Sequence, residues 1–78
     1  MLLLLSKLRI KIGEKMEILV AKMRVYRNIT QEQLALYAGI NQQKISRIEH
    51  GYEPKISVGL KIARGLSVPV ESIFVLTE

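Results

Sequence analysis

The stretch from Thr30 to Gly51, TQEQLALYAGINQQKISRIEHG, constrains the fold more than any other part of this chain. Thr30 suits a helix N-cap, because its hydroxyl can accept one of the backbone N–H groups that the first turn leaves without a partner. Gln33 stands where a capping box needs its second member. Leu34, Ala35 and Ala38 then recur on one helical face. Gly39 ends that helix in the left-handed conformation that glycine adopts at little cost, and Ile40 fills the corner. Asn41 caps a second helix, which buries Ile45 and Ile48 and exposes Gln42, Gln43, Lys44, Ser46 and Arg47.

Two short helices joined in this way form a helix-turn-helix. Length agrees with a single small domain: 78 residues bury only about 60% of the surface the unfolded chain exposes, so association with a partner would help. The 12 basic and 7 acidic residues leave a net charge of +5, which suits a polyanionic partner. With no cysteine and His50 as the single histidine, neither a disulfide nor a zinc site is expected, and no cofactor is called for. His50 reads as a helix-end residue that favours the local dipole.

Residues 1–13 form a distinct N-terminal segment. Met1 to Leu5 is wholly apolar, but Lys7, Arg9 and Lys11 interrupt too early for a signal peptide or a membrane span. Nothing directs the chain out of the cytoplasm. Leu8 to Ile12 alternates apolar and basic side chains as a strand does, so residues 2–12 read as an extended arm or short strand, able to pair with a partner subunit or with the C-terminal segment. Gly13 separates it from the domain at 14–78.

Within that domain a first helix is expected from Glu14 to Arg27, with Ile18, Leu19, Met23 and Val25 on its buried face. Asn28 and Ile29 connect it to Thr30. Pro54 blocks helix propagation after Gly51. Ser57 is placed to cap a further helix carrying Val58, Leu60, Ile62, Ala63 and Leu66, in which Gly59 and Gly65 each cost about 1 kcal/mol relative to alanine. Val68-Pro69-Val70 breaks the chain, Glu71 to Phe74 supplies a last helical turn, and Val75 to Thr77 can end as a strand.

Residues 18–74 resemble the Cro/C1-type helix-turn-helix family of phage and bacterial regulators, the XRE family. The pieces that match are Thr30-Gln31-Glu32-Gln33-Leu34-Ala35, Ala38-Gly39-Ile40, Ile45-Ser46-Arg47-Ile48-Glu49-His50-Gly51, Leu60-Lys61-Ile62-Ala63-Arg64 and Val70-Glu71-Ser72-Ile73-Phe74. The resemblance implies an all-α, compact five-helix, lambda-repressor-like domain that binds operator DNA as a dimer. Two departures stand out. The loop from Gly51 to Pro54 is one residue shorter than in many members, and the arm before Glu14 lies outside the shared domain.

The exposed side chains of the second helix suit base reading in their own right. A recognition helix lies in the major groove with its N-terminal residues toward the base edges. Glutamine can both donate and accept at adenine, and arginine can form a fork with guanine. Gln42, Gln43 and Arg47 are the leading base readers, Gln43 and Arg47 being four apart on one face. Lys44 and Ser46 are secondary, and Lys44 can turn to phosphate instead. Gln31, at a helix start whose free N–H groups attract anions, is a phosphate contact, joined by Arg27, Asn28, Tyr52 and Lys55. By resemblance, Gln31 braces Gln42, and Arg24 and Glu49 form a buried ion pair that fixes how the recognition helix is held.

Three functional classes follow. A sequence-specific regulator, most simply a dimeric repressor with recognition helices about 34 Å apart on a near-palindromic operator, fits best. Val75, Leu76 and the apolar arm offer surface for that dimer. An antitoxin or other interaction module, holding a protein partner through the arm, is the alternative. An enzyme is not expected: there is no paired carboxylate in a plausible cleft, no cysteine nucleophile, and little chain left to build a pocket.

Overall fold

The computed structural model describes residues 15–77. Strand β1 (Lys15–Ile18) leads into helix α1 (Val20–Tyr26), followed by α2 (Gln31–Ala38), α3 (Gln42–Glu49) and α4 (Ile56–Leu66). A single 3-10 turn (Val70–Ser72) then feeds strand β2 (Phe74–Thr77), which returns antiparallel to β1.

The expected helix from Glu14 to Arg27 is therefore only half helix. Met16 and Ile18 are half-buried while Lys15 and Glu17 are exposed, a two-residue period that only a strand can satisfy. Lys15 sits opposite Thr77 and Ile18 opposite Phe74, and Leu19 N–H donates to the Ile73 carbonyl at 2.8 Å to close the ladder. Helix α1 starts only at Val20, after Leu19, whose side chain can offer no cap. Just one of its residues, Val20, is fully buried, and Val25, placed on the buried face by the sequence, is 64% exposed.

The other end differs from expectation in the same direction. Glu71 to Phe74 does not form a fifth helix, so the described domain has four α-helices and a two-stranded sheet instead of being all-α. Pro69 starts the 3-10 turn, and pairing with β1 takes Phe74 into the strand before a second turn can form. The expected strand at Val75 to Thr77 is part of β2. Residues 2–12, read as an arm, lie outside the described residues.

The core joins all four helices. Val20, Leu34, Ile45, Ile48, Ile62, Leu66 and Ile73 are wholly or almost wholly buried, with Ala35, Ala38 and Ala63 between the helices. Leu34 and Ala38 meet α4 at Gly65, and Ile45 and Ile48 are the buried residues of α3. The two glycines of α4 serve packing in unequal degree. A Cβ on Gly65 would meet the Ala38 backbone nitrogen at 3.1 Å and Leu34 Cδ1 at 3.2 Å, so α2 and α4 touch almost backbone to backbone there. At Gly59 the nearest atom would be a Phe74 ring carbon at 3.4 Å, an ordinary contact. Helix α4 begins at Ile56 after Lys55, with no side-chain cap. Ser57 lies inside its first turn, two residues past the N-cap position at which it was expected. Leu60, expected in the core, is half exposed.

All four helices end alike. Asn28, Gly39, Gly51 and Ser67 have positive φ, and in each case the next residue's N–H reaches back five residues: Ile29 to Arg24, Ile40 to Ala35, Tyr52 to Arg47 and Val68 to Ala63. This is the Schellman closure, which supplies carbonyls at the helix end with donors.

Candidate nucleic-acid interface

The corner between α2 and α3 is built by local chemistry. Thr30 Oγ1 accepts from Gln33 N–H at 3.0 Å, and Gln33 Oε1 accepts from Thr30 N–H at 2.9 Å, completing the capping box. Gly39, at φ 73°, turns the chain. Asn41 Oδ1 accepts from Lys44 N–H at 2.7 Å and starts α3 in the direction the corner sets.

Helix α3 is split cleanly by burial. Ile45 and Ile48 are completely buried, whereas Gln42, Gln43 and Arg47 are exposed and Lys44 and Ser46 are partly covered. Among the described residues, none forms a side-chain hydrogen bond with Gln42, Gln43 or Arg47, and all three face outward. His50 is occupied locally: its Nδ1 lies 2.8 Å from the Ser46 carbonyl. A carbonyl can only accept, so the proton sits on Nδ1 and the ring closes the last turn of α3.

The far end of α3 is held by charge. Arg24 Nε donates to Glu49 Oε2 at 2.7 Å, and Arg24 Nη2 to Glu49 Oε1 at 3.2 Å. The third arm of the guanidinium, Nη1, donates to the Ile29 carbonyl at 2.9 Å. The side chains are 16% and 5% exposed. Arginine thereby uses its fork to lock α1, the α1–α2 connection and α3 together, a geometry that lysine's single ammonium could not reproduce.

Gln31 joins this group rather than the one the resemblance implied. Its Nε2 donates to Glu49 Oε1 at 2.8 Å, so the bracing of Gln42 is replaced by bracing of Glu49. The reason is electrostatic: a carboxylate largely removed from water offers a stronger acceptor than the amide oxygen of an exposed glutamine. Gln31 and Gln42 still share the wall of one open cleft of about 500 Å³, with Arg24, Asn28 and Thr30. That cleft gathers two of the expected phosphate contacts, Asn28 and Gln31, next to the first of the expected base readers. Arg27, Tyr52 and Lys55 are exposed but do not line it.

Two members of this region were not legible in the sequence. The Ile29 carbonyl carries no side-chain signal. Glu32, which lines the same cleft, reads in sequence only as an acidic residue in the first turn of a helix, where the dipole favours it.

No helix among the described residues is long and apolar enough to cross a membrane. The sequence pattern of the helix-turn-helix family matches residues 20–73, from the start of α1 to the residue after the 3-10 turn. An uncharacterized HTH-type transcriptional regulator of Methanocaldococcus jannaschii is 41% identical over 61 residues, covering 73% of this chain and 92% of the relative. An uncharacterized HTH-type transcriptional regulator of Archaeoglobus fulgidus is 38% identical over 52 residues, covering 65% of this chain and 73% of the relative. With the capped corner, the split face of α3 and this match over most of its length, the chain belongs to the Cro/C1-type helix-turn-helix (XRE) family of DNA-binding transcriptional regulators.

Proposed function

We propose that this protein is a sequence-specific repressor that acts as a homodimer in the cytoplasm and carries out no covalent chemistry. Helix α3 enters the major groove, with Gln42, Gln43 and Arg47 reading base edges and Lys44 and Ser46 adding contacts at the periphery. Asn28 and the N-terminal turn of α2 take a phosphate at the mouth of the cleft, and Arg27, Tyr52 and Lys55 engage the backbone on either side. The observation that carries this reading is the division of α3. Its two isoleucines are fully buried and its terminal glutamate is tied to Arg24 and Gln31, while the amide and guanidinium groups of its outer face have no partner among the described residues. A helix held that rigidly from behind can present its outer side chains in a fixed register, which base discrimination requires.

The dimer follows from the size of one reading surface. A single eight-residue helix contacts only a few base pairs, and two-fold pairing doubles the site while setting the half-sites one turn apart, about 10 base pairs. The operator is then a near-palindrome. Selection of binding sites from random duplex DNA with the purified protein tests both points. Enrichment of two inverted half-sites at that spacing supports the reading, and affinity on the selected site falls steeply with salt as counterions are released. Absence of any enriched sequence would remove it and turn attention to a protein partner.

A further inference from the structure

A hollow of about 270 Å³ opens where the start of α4 meets the sheet. Among the described residues its walls come from Met16, Pro54, Gly59, Val70 and Phe74, and the exposed residues Glu53, Lys55 and Ile56 form its lip. Gly59 brings no side chain, so the Phe74 ring makes the floor there, 3.4 Å from where a Cβ would stand. Apolar surface continues on both sides of the hollow. Ile56 is 80% exposed, and Leu60, one turn further along the same flank of α4, is 50% exposed. Leu76, directly opposite Met16 in the ladder, is 62% exposed. One exposed aliphatic side chain needs no explanation, but three around an apolar hollow mark a surface that takes a partner.

We propose that a second copy of the chain docks on this surface, with Ile56 of each protomer seated in the hollow of the other. The inference rests on the homodimer proposed above and names its interface. Size speaks against a small ligand, since clefts that enclose one usually measure about 300–1,000 Å³. Shape speaks for a second copy, because the patch holds a projecting isoleucine and an apolar hollow side by side. A two-fold axis next to Ile56 brings each to its counterpart, as an isologous contact requires.

Charge points the same way. Glu53 and Lys55 flank Pro54 and are both exposed. The same axis sets Glu53 against Lys55 of the partner subunit, and the reverse, so that the rim carries two pairs of opposite charge and no net charge. A different partner would meet an acid and a base side by side, with no excess of either to attract it. The Lys55 ammonium has three donors, which leaves it free to hold a phosphate as well. The surface also has the right place in the chain. Only the loop from His50 to Lys55 separates it from α3, so pairing here fixes the distance between the two recognition helices, on which the half-site spacing depends.

Sedimentation equilibrium of the full-length protein without DNA, over a series of concentrations, tests this. The native chain should dimerise, and Ile56→Asp should raise the dissociation constant at least about a hundredfold. Leu36→Ser, at a position 78% exposed on α2, should change it less than about twofold. Far-UV circular dichroism of Ile56→Asp should match the native spectrum, because Ile56 lies outside the core. Glu53→Lys and Lys55→Glu should each weaken the dimer about tenfold, and a chain carrying both reversals should recover to within about threefold of the native value. If Ile56→Asp dimerises as the native chain does, the two-fold lies elsewhere, and this interface is overturned while the homodimer stands. A double reversal as weak as either single one would overturn the pairing of Glu53 with Lys55 and the register with it. A native chain that stays monomeric both alone and on its selected operator would overturn the homodimer and this interface together.

Discussion

The corner from Thr30 to Gly51 and the segments that flank it are built on different principles. In the corner, α2 and α3 each begin with a side-chain cap, from Thr30 and Asn41, and each ends on a glycine at positive φ. Outside it, α1 and α4 have no side-chain cap, and they end on Asn28 and Ser67, residues that pay for the left-handed conformation. The corner is specified by chemistry within a few residues of each boundary. The flanks depend on what they pack against: Val20 and Ile18 on the core, β1 on β2, α4 on α2. The helix boundaries of the corner are thus the ones least dependent on distant contacts.

The largest expected effect lies where the two regions are tied together. Glu49→Ala leaves the Arg24 guanidinium without its carboxylate and Gln31 without its acceptor, and should cost about 3 kcal/mol, the lower end for a broken buried pair because Arg24 keeps some access to water. Thermal or urea unfolding would read this directly. Full stability in that variant would mean that the corner and α1 are not coupled through Glu49.

Packing between the corner and α4 comes next. Gly65→Ala should destabilise by about 1–2 kcal/mol, since the new methyl meets backbone at Ala38 and overpacking outweighs the gain in helix propensity. Gly59→Ala, with ordinary space beside Phe74, should instead stabilise by up to about 1 kcal/mol. Opposite signs in urea melts of these two variants would separate a glycine required by close approach from one that is not. The caps give smaller effects. Asn41→Ala should cost about 1 kcal/mol, while Ser57→Ala, inside the first turn of α4 and making no capping bond, should change stability by less than about 0.5 kcal/mol. Equal losses at the two sites, measured by the same unfolding titrations, would erase the distinction between a locally capped corner and a flank held by packing.

This contrast also explains what could be read in advance. The corner was legible almost residue by residue, because Thr30, Gln33, Gly39 and Asn41 act through bonds to near neighbours. The segment Glu14–Arg27 was not. Lys-Met-Glu-Ile-Leu-Val-Ala-Lys supports a helical period as well as an alternating one, and β2, some 60 residues away, decides between them. Pairing with β1 likewise removed Phe74 from a last helix and left one 3-10 turn. At the candidate interface, the exposure of Gln42, Gln43 and Arg47 followed from the helical period. The partner of Gln31 did not, since Glu49 outcompetes Gln42 only once the fold has brought a shielded carboxylate within reach. The position of Glu32 on the wall of the cleft was hidden for the same reason.

The central claim is that α3 distinguishes bases with its outer side chains, and a specificity measurement tests it most directly. Affinity would be measured for the selected operator and for single-base-pair variants of it, with the native chain, Gln43→Ala and Arg47→Ala, at one fixed salt concentration. Each substitution should lower affinity for the operator by about 1–3 kcal/mol and relax discrimination at one or two base positions only, leaving the salt dependence nearly unchanged for Gln43→Ala. A uniform loss across all sequences with discrimination intact would show that these side chains hold the backbone and do not read the bases, and would contradict the account.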